Sequence, residues 1–420
     1  MKKIVFLLAF IAGSSTIYAQ KIDDIDDLLR TPGYDMLKAK TMIDNYQANP
    51  KNADKSDGWF YKAVIYNEIS KKDSLKSACP DCLDQAFVAL KKYQDLDSKN
   101  VLLLIKPYIN FFSLYGNYFD RAINDFNGNN FSGAYTNFDK ANAVEEYIKS
   151  KNIEAANGFK FPALDTSLVI NAALAARQSK DSANAAAYYK KITDAELADQ
   201  QYLIAYEFQA EYYFNKGDNA SLDAVLAKGR KLFPSDAYWD AIDIDRVAAK
   251  GGKTEVFKKY DEILAANPTN YAVGYNYAAE LYNYIFSNDD KKINTTPYKD
   301  KLHEVVKNLI ALKSNGDDNL LMAKYLYNSS FDYGDSARMV KGVKPADVKR
   351  RKDFNDLSTA QMNEALPYAQ AAAAYYEGLP TLKPVDKGNY RATLSILQSI
   401  YEVKKDAAKA AEYDKKMKSL

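Results

Sequence analysis

The sequence predicts an all-α protein built from helical hairpins, and three observations support this prediction. Apolar residues recur at intervals of three and four, as in Tyr202, Ala205 and Phe208, which is the spacing of one face of an α-helix. Sustained alternation of polar and apolar residues, which is typical of half-buried strands, hardly occurs. Short breaks rich in glycine, asparagine, aspartate and proline, such as 216–219 and 267–270, separate the helical stretches.

The composition indicates a folded chain with a sizeable core. Of the 420 residues, 47% are hydrophobic and 34 are tyrosines. Enough apolar surface is therefore available to offset the entropy lost on folding, which excludes general disorder. A chain of this length can form two or three ordinary domains or one long repetitive domain.

The first residues have the pattern of a secretory signal. A positive start (Lys2, Lys3), an apolar run over 4–12 and small residues after it predict a cleaved signal peptide over 1–19. No cysteine follows the expected cut before Gln20, so a lipid anchor is not indicated. No later apolar run reaches the length of a transmembrane helix. We therefore expect an exported protein, in the periplasm or, as the alternative, secreted.

The formal charge of the chain is close to zero. The sequence has 57 basic and 55 acidic residues, and loss of Lys2 and Lys3 with the signal peptide leaves 55 of each. A neutral surface argues against nucleic acid or an acidic membrane as the main partner. We interpret the basic run at 349–352 as a solvated helix end.

A period of 34 residues runs through the middle of the chain. Pro234 and Pro268 are 34 positions apart, and each follows a predicted helix. The same interval relates first-helix and second-helix positions, namely Tyr206/Asp240/Gly274, Ala210/Ile244/Ala278, Tyr213/Val247/Leu281, Leu222/Val256, Leu226/Tyr260 and Gly229/Ile263. Small residues such as Ala210 and Ala278 let paired helices approach closely, while neighbouring large residues fill the remaining space. The period and these residues resemble the tetratricopeptide repeat (TPR).

The resemblance implies an α-solenoid of stacked hairpins, because each hairpin buries its apolar stripe only against the next. The repeats are degenerate, and insertions at 71–84, 287–300 and 334–358 break the register. We divide the repeats into an N-terminal group at 20–155, a central group at 156–300 and a C-terminal group at 301–420. A signal peptide followed by degenerate repeats is similar to the exported repeat proteins of Bacteroidetes.

The two cysteines, Cys79 and Cys82, form a Cys-x-x-Cys pair with a proline inside it. Thiol–disulfide oxidoreductases use such a pair at a helix N-terminus that follows a β-strand. No strand is predicted before this pair, which lies in an insertion between two helices. We therefore predict a local structural disulfide in an oxidising compartment, with redox activity as the alternative.

No catalytic or metal-binding constellation is found. His303 is the only histidine, so a Ser-His or Cys-His nucleophile system has a single possible base. One Cys-x-x-Cys pair with a lone histidine does not supply a zinc site. The calcium-loop-like run that starts at Asp125 lacks the required glycine at Asn130 and glutamate at Thr136. We therefore predict a protein that is not an enzyme and has no cofactor or metal.

The TPR resemblance also implies which side chains line a concave groove. In that family, positions one, five and eight after the leading residue of each first helix face the groove. These positions are Phe60, Val64 and Asn67; Phe119, Ile123 and Phe126; Glu207, Glu211 and Phe214; and Tyr275, Ala279 and Tyr282. Aromatic, amide and acidic groups suit a bound peptide or helix. The competing interpretation is that aromatics at helical spacing belong to the core.

We expect the chain to be a non-catalytic exported scaffold. Its groove would hold a peptide or protein partner, in a possible cell-envelope complex and without nucleic acid. A glycan-binding protein of nutrient uptake is the alternative, because tyrosine rings stack well on sugars. A thiol–disulfide redox protein that uses Cys79 and Cys82 is the third hypothesis.

Overall fold

The computed structural model describes residues 21–106, 111–155, 158–286 and 295–420. Every regular element within those ranges is a helix, and none of their residues lies in a strand. The all-α class predicted from the spacing of apolar residues is confirmed. The predicted signal peptide, 1–19, lies outside the described residues. Among the helices of the described ranges, none combines the length and apolarity needed to cross a bilayer.

The helices form two compact units, one that ends at Pro234 and one that begins at Ser235. The described part of the first unit contains α1 (Ile22–Leu29), α2 (Met36–Ala48), α3 (Ser56–Ser70), α4 (Cys82–Leu96), α5 (Val101–Ile105), α6 (Phe112–Asn127), α7 (Phe131–Ser150), α8 (Thr166–Gln178), α9 (Ser182–Asp194), α10 (Leu203–Lys216) and α11 (Asn219–Leu232). That of the second unit contains α12 (Tyr238–Ala248), α13 (Lys253–Ala266), α14 (Tyr271–Phe286), α15 (Thr296–Leu312), α16 (Gly316–Met339), α17 (Pro345–Glu377), α18 (Pro384–Val403) and α19 (Ala407–Lys418). The boundary between the units falls inside the predicted central group, 156–300, and the division into three groups stays a prediction.

Helices that follow each other in sequence pack as hairpins. The described pairs of the first unit are α1/α2, α3/α4, α6/α7, α8/α9 and α10/α11, and those of the second unit are α12/α13, α14/α15, α16/α17 and α18/α19. Within each unit every hairpin packs on the next one in the chain. This serial arrangement is TPR-like, because each apolar face is covered by a neighbouring hairpin.

The 34-residue register corresponds to real helix positions. Helix α11 begins at Asn219 and α13 at Lys253, 34 residues later, and a proline follows two positions after the end of each helix. The predicted small positions Ala210 and Ala278 are fully buried. An alanine at these positions lets the helices of a hairpin approach closely without leaving a void.

Turns inside the hairpins end in a side-chain cap. The residue before the second helix accepts a hydrogen bond from a backbone amide of the first helical turn, which satisfies a donor that has no partner inside the helix. This cap is formed before α7, α9, α11 and α19 by Asn130, Asp181, Asp218 and Asp406, respectively. The polar turns predicted from sequence thus start the second helix of each of these hairpins.

Many tyrosines link one hairpin to the next. Their rings fill the interior while their hydroxyls reach a carboxylate of a neighbouring hairpin, and such charge-assisted hydrogen bonds are short. In the first unit these pairs are Tyr118 to Asp84 (2.5 Å), Tyr115 to Asp165 (2.6 Å) and Tyr188 to Asp139 (2.8 Å). Part of the high tyrosine content therefore has a structural explanation.

The α16/α17 hairpin is longer than the others. Its helices have 24 and 33 residues, and α17 buries no side chain before Ala365. We call residues 331–364 the arm. Guanidinium nitrogens of Arg351 donate to the carbonyl oxygens of Val340 (3.2 Å) and Gly342 (2.7 Å), which closes the turn at its end. The predicted insertion at 334–358 is a helical extension of one hairpin.

Candidate functional site

First helices of successive hairpins lie side by side in the second unit, where α16 contacts both α14 and α18. A cavity of about 230 Å³ opens along these three helices. Its walls are Tyr275, Ala279, Tyr282 and Asn283 of α14, Asp317, Leu320, Leu321 and Lys324 of α16, and Asn389 of α18. We call it the Tyr275 cavity. Three predicted groove positions, at 275, 279 and 282, therefore line one cavity.

Helix periodicity explains how α14 and α16 each contribute a wall. Residues 275, 279 and 282 have the spacing i, i+4, i+7, which places them on one face of a helix. Asp317, Leu321 and Lys324 repeat this spacing on α16, starting 42 residues later (275 to 317). The step exceeds the 34-residue period because of the insertion at 287–300, which hid these positions from sequence reasoning.

Hydrogen bonds fix the carboxylate of Asp317 in place. It accepts from the hydroxyl of Tyr376 at 2.6 Å and from Nδ2 of Asn389 at 3.0 Å. Both donors bind the same carboxylate oxygen, and Asp317 also lines the cavity. A carboxylate held in this way is a preorganised acceptor for a ligand donor.

Lys324 provides the cationic group of the Tyr275 cavity. Burial lowers the pKa of its ammonium group, and the charge of Asp317 opposes that effect. Lys324 makes no ion pair within the part of the chain that the structure describes, and its side chain is half-buried. Its N–H donors are therefore available to an acceptor that enters the cavity.

The two tyrosines that line the cavity differ in how firmly neighbouring residues hold them. The ring of Tyr275 is 37% exposed and stacks on Tyr271 with a centroid distance of 6.3 Å and an interplanar angle of 19°. The hydroxyl of Tyr282 accepts from Nδ2 of Asn328 at 2.8 Å, and its ring packs on Phe286. Tyr275 thus offers a free aromatic face, whereas Tyr282 is a fixed wall.

The predicted acidic positions of α10 lie in the first unit. Glu211 lines a second cavity, of about 360 Å³, between α8 and α10, where the guanidinium of Arg177 lies 5.6 Å from the centre of the Phe208 ring. Glu207 and Phe214 are half-buried on the same helix. Of the three residues predicted on α10, only Glu211 lines this cavity.

The structure corrects the groove prediction for Phe60. Its side chain is fully buried and makes edge-to-face contacts with Tyr61, Tyr93 and Phe111, so it is a core residue. A ligand on the surface cannot reach it. The competing interpretation, that aromatics at helical spacing belong to the core, is the correct one for this position.

Asn67 and Phe126 are also engaged inside the fold. Asn67 is 4% exposed, and its Nδ2 donates to the hydroxyl of Ser113 at 2.6 Å beside a cavity of about 430 Å³ that Val64 also lines. Phe126 is half-buried and packs edge-to-face on Phe131 of its own hairpin, at 5.2 Å. Neither presents a free side chain of the kind that Tyr275 does.

Cys79 and Cys82 form a disulfide, with their Cα atoms 5.2 Å apart. Their exposures are 5% and 0%, and Cys82 is the first residue of α4. The 3-10 helix Asp73–Leu75 precedes them, and no strand does within the described residues of the first unit. The predicted local disulfide is confirmed.

His303 and Asp125, the other candidate residues of the sequence, both contact residues of the fold. Nε2 of His303 lies 3.2 Å from a carboxylate oxygen of Glu364. The carboxylate of Asp125 accepts hydrogen bonds from the side-chain amides of Asn130 and Asn137, and these bonds hold the α6/α7 turn together. Within the described ranges no group of three or more histidine, cysteine, aspartate or glutamate side chains is placed to hold a metal ion.

Two solved structures show a distant likeness to the chain. They are the human IFIT1 dimer with m7Gppp-AAAA, at 12% identity, and the human IFIT1 dimer with PPP-AAAA, at 13% identity. In both cases the TM-score is 0.23, and the match covers 91% of this chain and 86% of that chain. No protein-family model matches the sequence, and no curated protein matches it significantly. The fold therefore rests on the packing of this chain's own helices.

Proposed function

We propose that the chain is a non-catalytic exported scaffold that holds a peptide or protein segment along the first helices of its hairpins. The Tyr275 cavity is one subsite for a side chain of that partner. The observation that carries the proposal is the convergence of Tyr275, Asp317 and Lys324, from two neighbouring first helices, on one cavity.

The chemistry of the cavity favours a peptide. A free aromatic face, the apolar side chains of Leu320 and Leu321, and one group of each charge are the components of a binding hot spot. A peptide offers an apolar side chain together with backbone donors and acceptors that Asp317 and Lys324 can satisfy. A partly buried site of this kind gains affinity because water is excluded around its polar contacts.

Export and the absence of catalysis belong to the same proposal. The signal-like start of the sequence and the disulfide of Cys79 and Cys82 both suit an oxidising compartment outside the cytoplasm. The periplasm is the proposed location, with secretion as the alternative, and a cell-envelope complex is the proposed setting. No nucleic acid is part of the proposed function.

The test uses the chain without residues 1–19 and peptides selected from a random displayed library. We expect Tyr275→Ala to weaken the selected peptides about tenfold or more, since truncation of an aromatic hot spot costs at least about 1.4 kcal/mol. Tyr375→Ala is the matched control, because Tyr375 is similarly exposed, at 44%, and does not line the cavity. Equal affinity of both variants, or failure to select any peptide, contradicts the proposal.

A glycan-binding protein is the second candidate. The tyrosine ring beside the carboxylate of Asp317 and the amides of Asn283 and Asn389 favours it, because sugars combine apolar faces with many hydroxyls. Binding on a glycan array that Tyr275→Ala abolishes, in a sample that selects no peptide, would support this candidate.

The redox hypothesis has the least support. Both sulfur-bearing side chains are at most 5% exposed, whereas disulfide exchange needs an accessible sulfur. A reduction potential of Cys79 and Cys82 far below the glutathione range would mark the disulfide as structural.

A further inference from the structure

The end of the arm gathers positive charge. Residues 338–352 form the turn and the adjoining helix ends, and we call them the arm tip. They contain seven basic residues, Arg338, Lys341, Lys344, Lys349, Arg350, Arg351 and Lys352, and one acidic residue, Asp347. One of these cations, Arg338, lies at the end of α16, two lie in the turn, and four lie near the start of α17. The arm tip therefore carries a formal charge of +6 (7 − 1) in a chain whose total is +2.

Exposed apolar side chains lie among these cations. Met339 is 76% exposed, Val343 88% and Val348 51%. Isolated apolar residues are common on protein surfaces, but these three lie within ten positions at the end of one long hairpin. The arm tip thus combines exposed apolar side chains with an excess of positive charge.

Three of the seven basic residues of the arm tip make no ion pair within the described ranges, and two more make only exposed ion pairs. Lys341, Lys344 and Lys349 are exposed and make no ion pair with any residue that the structure describes. The pairs of Arg338 with Asp335 (2.5 Å) and of Lys352 with Asp356 (2.8 Å) are solvent-exposed. Exposed ion pairs contribute little free energy and exchange readily for another anion. Arg351 closes the turn, and the guanidinium of Arg350 lies 5.6 Å from the centre of the Phe354 ring.

We infer that the arm tip docks the protein on a lipid surface that contains anionic headgroups. Met339, Val343 and Val348 enter the boundary between headgroups and acyl chains, while the lysines face lipid phosphates. Peripheral proteins bind membranes by this combination of buried apolar area and electrostatic attraction. The inference is independent of the peptide-binding proposal, because it concerns residues that do not line the Tyr275 cavity.

The exposed apolar residues of the arm tip favour a membrane over other anionic partners. A nucleic acid offers phosphates to the lysines but no apolar layer for Met339 and Val343. An acidic protein would need a matching apolar pocket, whereas a bilayer interface accepts apolar side chains of any shape. The neutral total charge argued against an acidic membrane, but a total over the whole chain does not show that residues 338–352 hold seven basic residues and one acidic residue.

The test is co-sedimentation of the chain without residues 1–19 with vesicles. Vesicles of phosphatidylcholine mixed with phosphatidylglycerol should bind the protein, and the binding should weaken as salt is raised. Vesicles of phosphatidylcholine alone should bind it far less. The triple variant Lys341→Glu/Lys344→Glu/Lys349→Glu should reduce the partition coefficient about tenfold or more, since each cation near an anionic surface contributes to binding.

Two further variants separate charge from apolar contact. The control Lys258→Glu/Lys307→Glu/Lys415→Glu makes the same change in net charge at exposed lysines of other helices of the second unit. This control variant should leave vesicle binding within about twofold of the unaltered chain, because salt screens the attraction between charges that are more than about 10 Å apart. Met339→Ser/Val343→Ser should weaken binding with the lysines intact.

Three outcomes would overturn the inference. They are no binding to anionic vesicles, an equal loss in the control variant, and binding that is unaffected by Met339→Ser/Val343→Ser. Arm-tip-dependent binding to duplex DNA or to an acidic polypeptide, without vesicle binding, would also overturn it in favour of that partner. All of the substituted side chains are exposed, and circular dichroism checks that each variant folds.

Discussion

Tyr376 and Asp317, 59 residues apart in the chain, are joined by a hydrogen bond of 2.6 Å that links the end of α17 to the start of α16. The same carboxylate oxygen accepts from Asn389 of α18 at 3.0 Å. One carboxylate therefore connects three helices at the wall of the Tyr275 cavity. The shape of the cavity and the stability of the second unit both depend on the carboxylate of Asp317.

Removal of this bond should destabilise the protein. Tyr376→Phe keeps the buried ring but deletes the donor to Asp317, and a hydrogen bond to a charged group contributes about 1.5–3 kcal/mol. We expect the free energy of unfolding, measured by denaturant titration, to fall by about that amount. Tyr375→Phe is the control, because the hydroxyl of the neighbouring, 44% exposed Tyr375 makes no hydrogen bond to Asp317, and this variant should change stability by less than about 0.5 kcal/mol. Equal effects of both variants would show that Asp317 is not the important acceptor.

Stability should fall at alkaline pH. Burial, together with the bond to Asp318, raises the pKa of Tyr271 from 10.0 to about 12. Burial and the bond to Asp317 likewise raise the pKa of Tyr376 above 10.0. Because the folded-state pKa exceeds the unfolded value, this contribution to stability is complete below pH 10 and is lost as the pH rises through the folded-state pKa.

Thermal unfolding between pH 8 and pH 12 measures that loss, with phenolate absorbance as a second signal. The melting temperature should be constant up to about pH 10 and then decrease. In Tyr376→Phe the decrease should be smaller, since one of the linked groups is gone. A melting temperature that rises above pH 10 would contradict the assigned pKa directions.

Two glycines of α16 should respond in opposite directions to alanine. A Cβ at Gly316 would come within 2.9 Å of Cζ of Tyr376 and closer still to the ring of Tyr375. A Cβ at Gly334, inside the arm, meets only the hydroxyl oxygen of Ser358, at 3.8 Å. Gly316→Ala should therefore destabilise the protein by about 1–3 kcal/mol through overpacking.

Gly334→Ala should stabilise it by about 0.5–1 kcal/mol, because alanine is the better helix former. Denaturant titration of both variants beside the unaltered chain measures the difference. The same sign of change in both variants would contradict the described packing of the α16/α17 hairpin.

Loss of the disulfide should have a small effect. The loop closed by Cys79 and Cys82 has a sequence separation of 3, so the chain-entropy model gives it a contribution of about 2 kcal/mol. Cys79→Ser/Cys82→Ser should lower the free energy of unfolding by no more than this, and reductant should not affect the variant. Unfolding of the first unit on reduction would contradict this assignment.

The helical hairpins could be predicted from sequence because their packing rules involve near neighbours. Small residues such as Ala210 and Ala278 recur with the period of the repeat, and polar turns such as the one at Asp218 cap the next helix. The exposure of Phe60 could not be predicted. It has the spacing of a groove residue, but Phe111, 51 positions later (60 to 111), packs against it.

The walls contributed by α16 were missed for a similar reason. Asp317 and Lys324 follow the same helical spacing as Tyr275 and Tyr282, yet an insertion places them out of the 34-residue period. Asn389 reaches the cavity from a third hairpin. Only the packing of helices, which the period does not encode across insertions, brings these residues together.

The length of α16 sets the distance between the Tyr275 cavity and the arm tip. From Leu320, in the wall of the Tyr275 cavity, to Met339, at the arm tip, α16 runs through 19 residues (320 to 339), or about 28 Å at 1.5 Å per residue. This length is close to the thickness of the hydrocarbon core of a bilayer, about 30 Å. A partner that occupies the Tyr275 cavity and a surface that contacts the arm tip would therefore meet the hairpin at points about 28 Å apart along α16, so binding of one need not block the other.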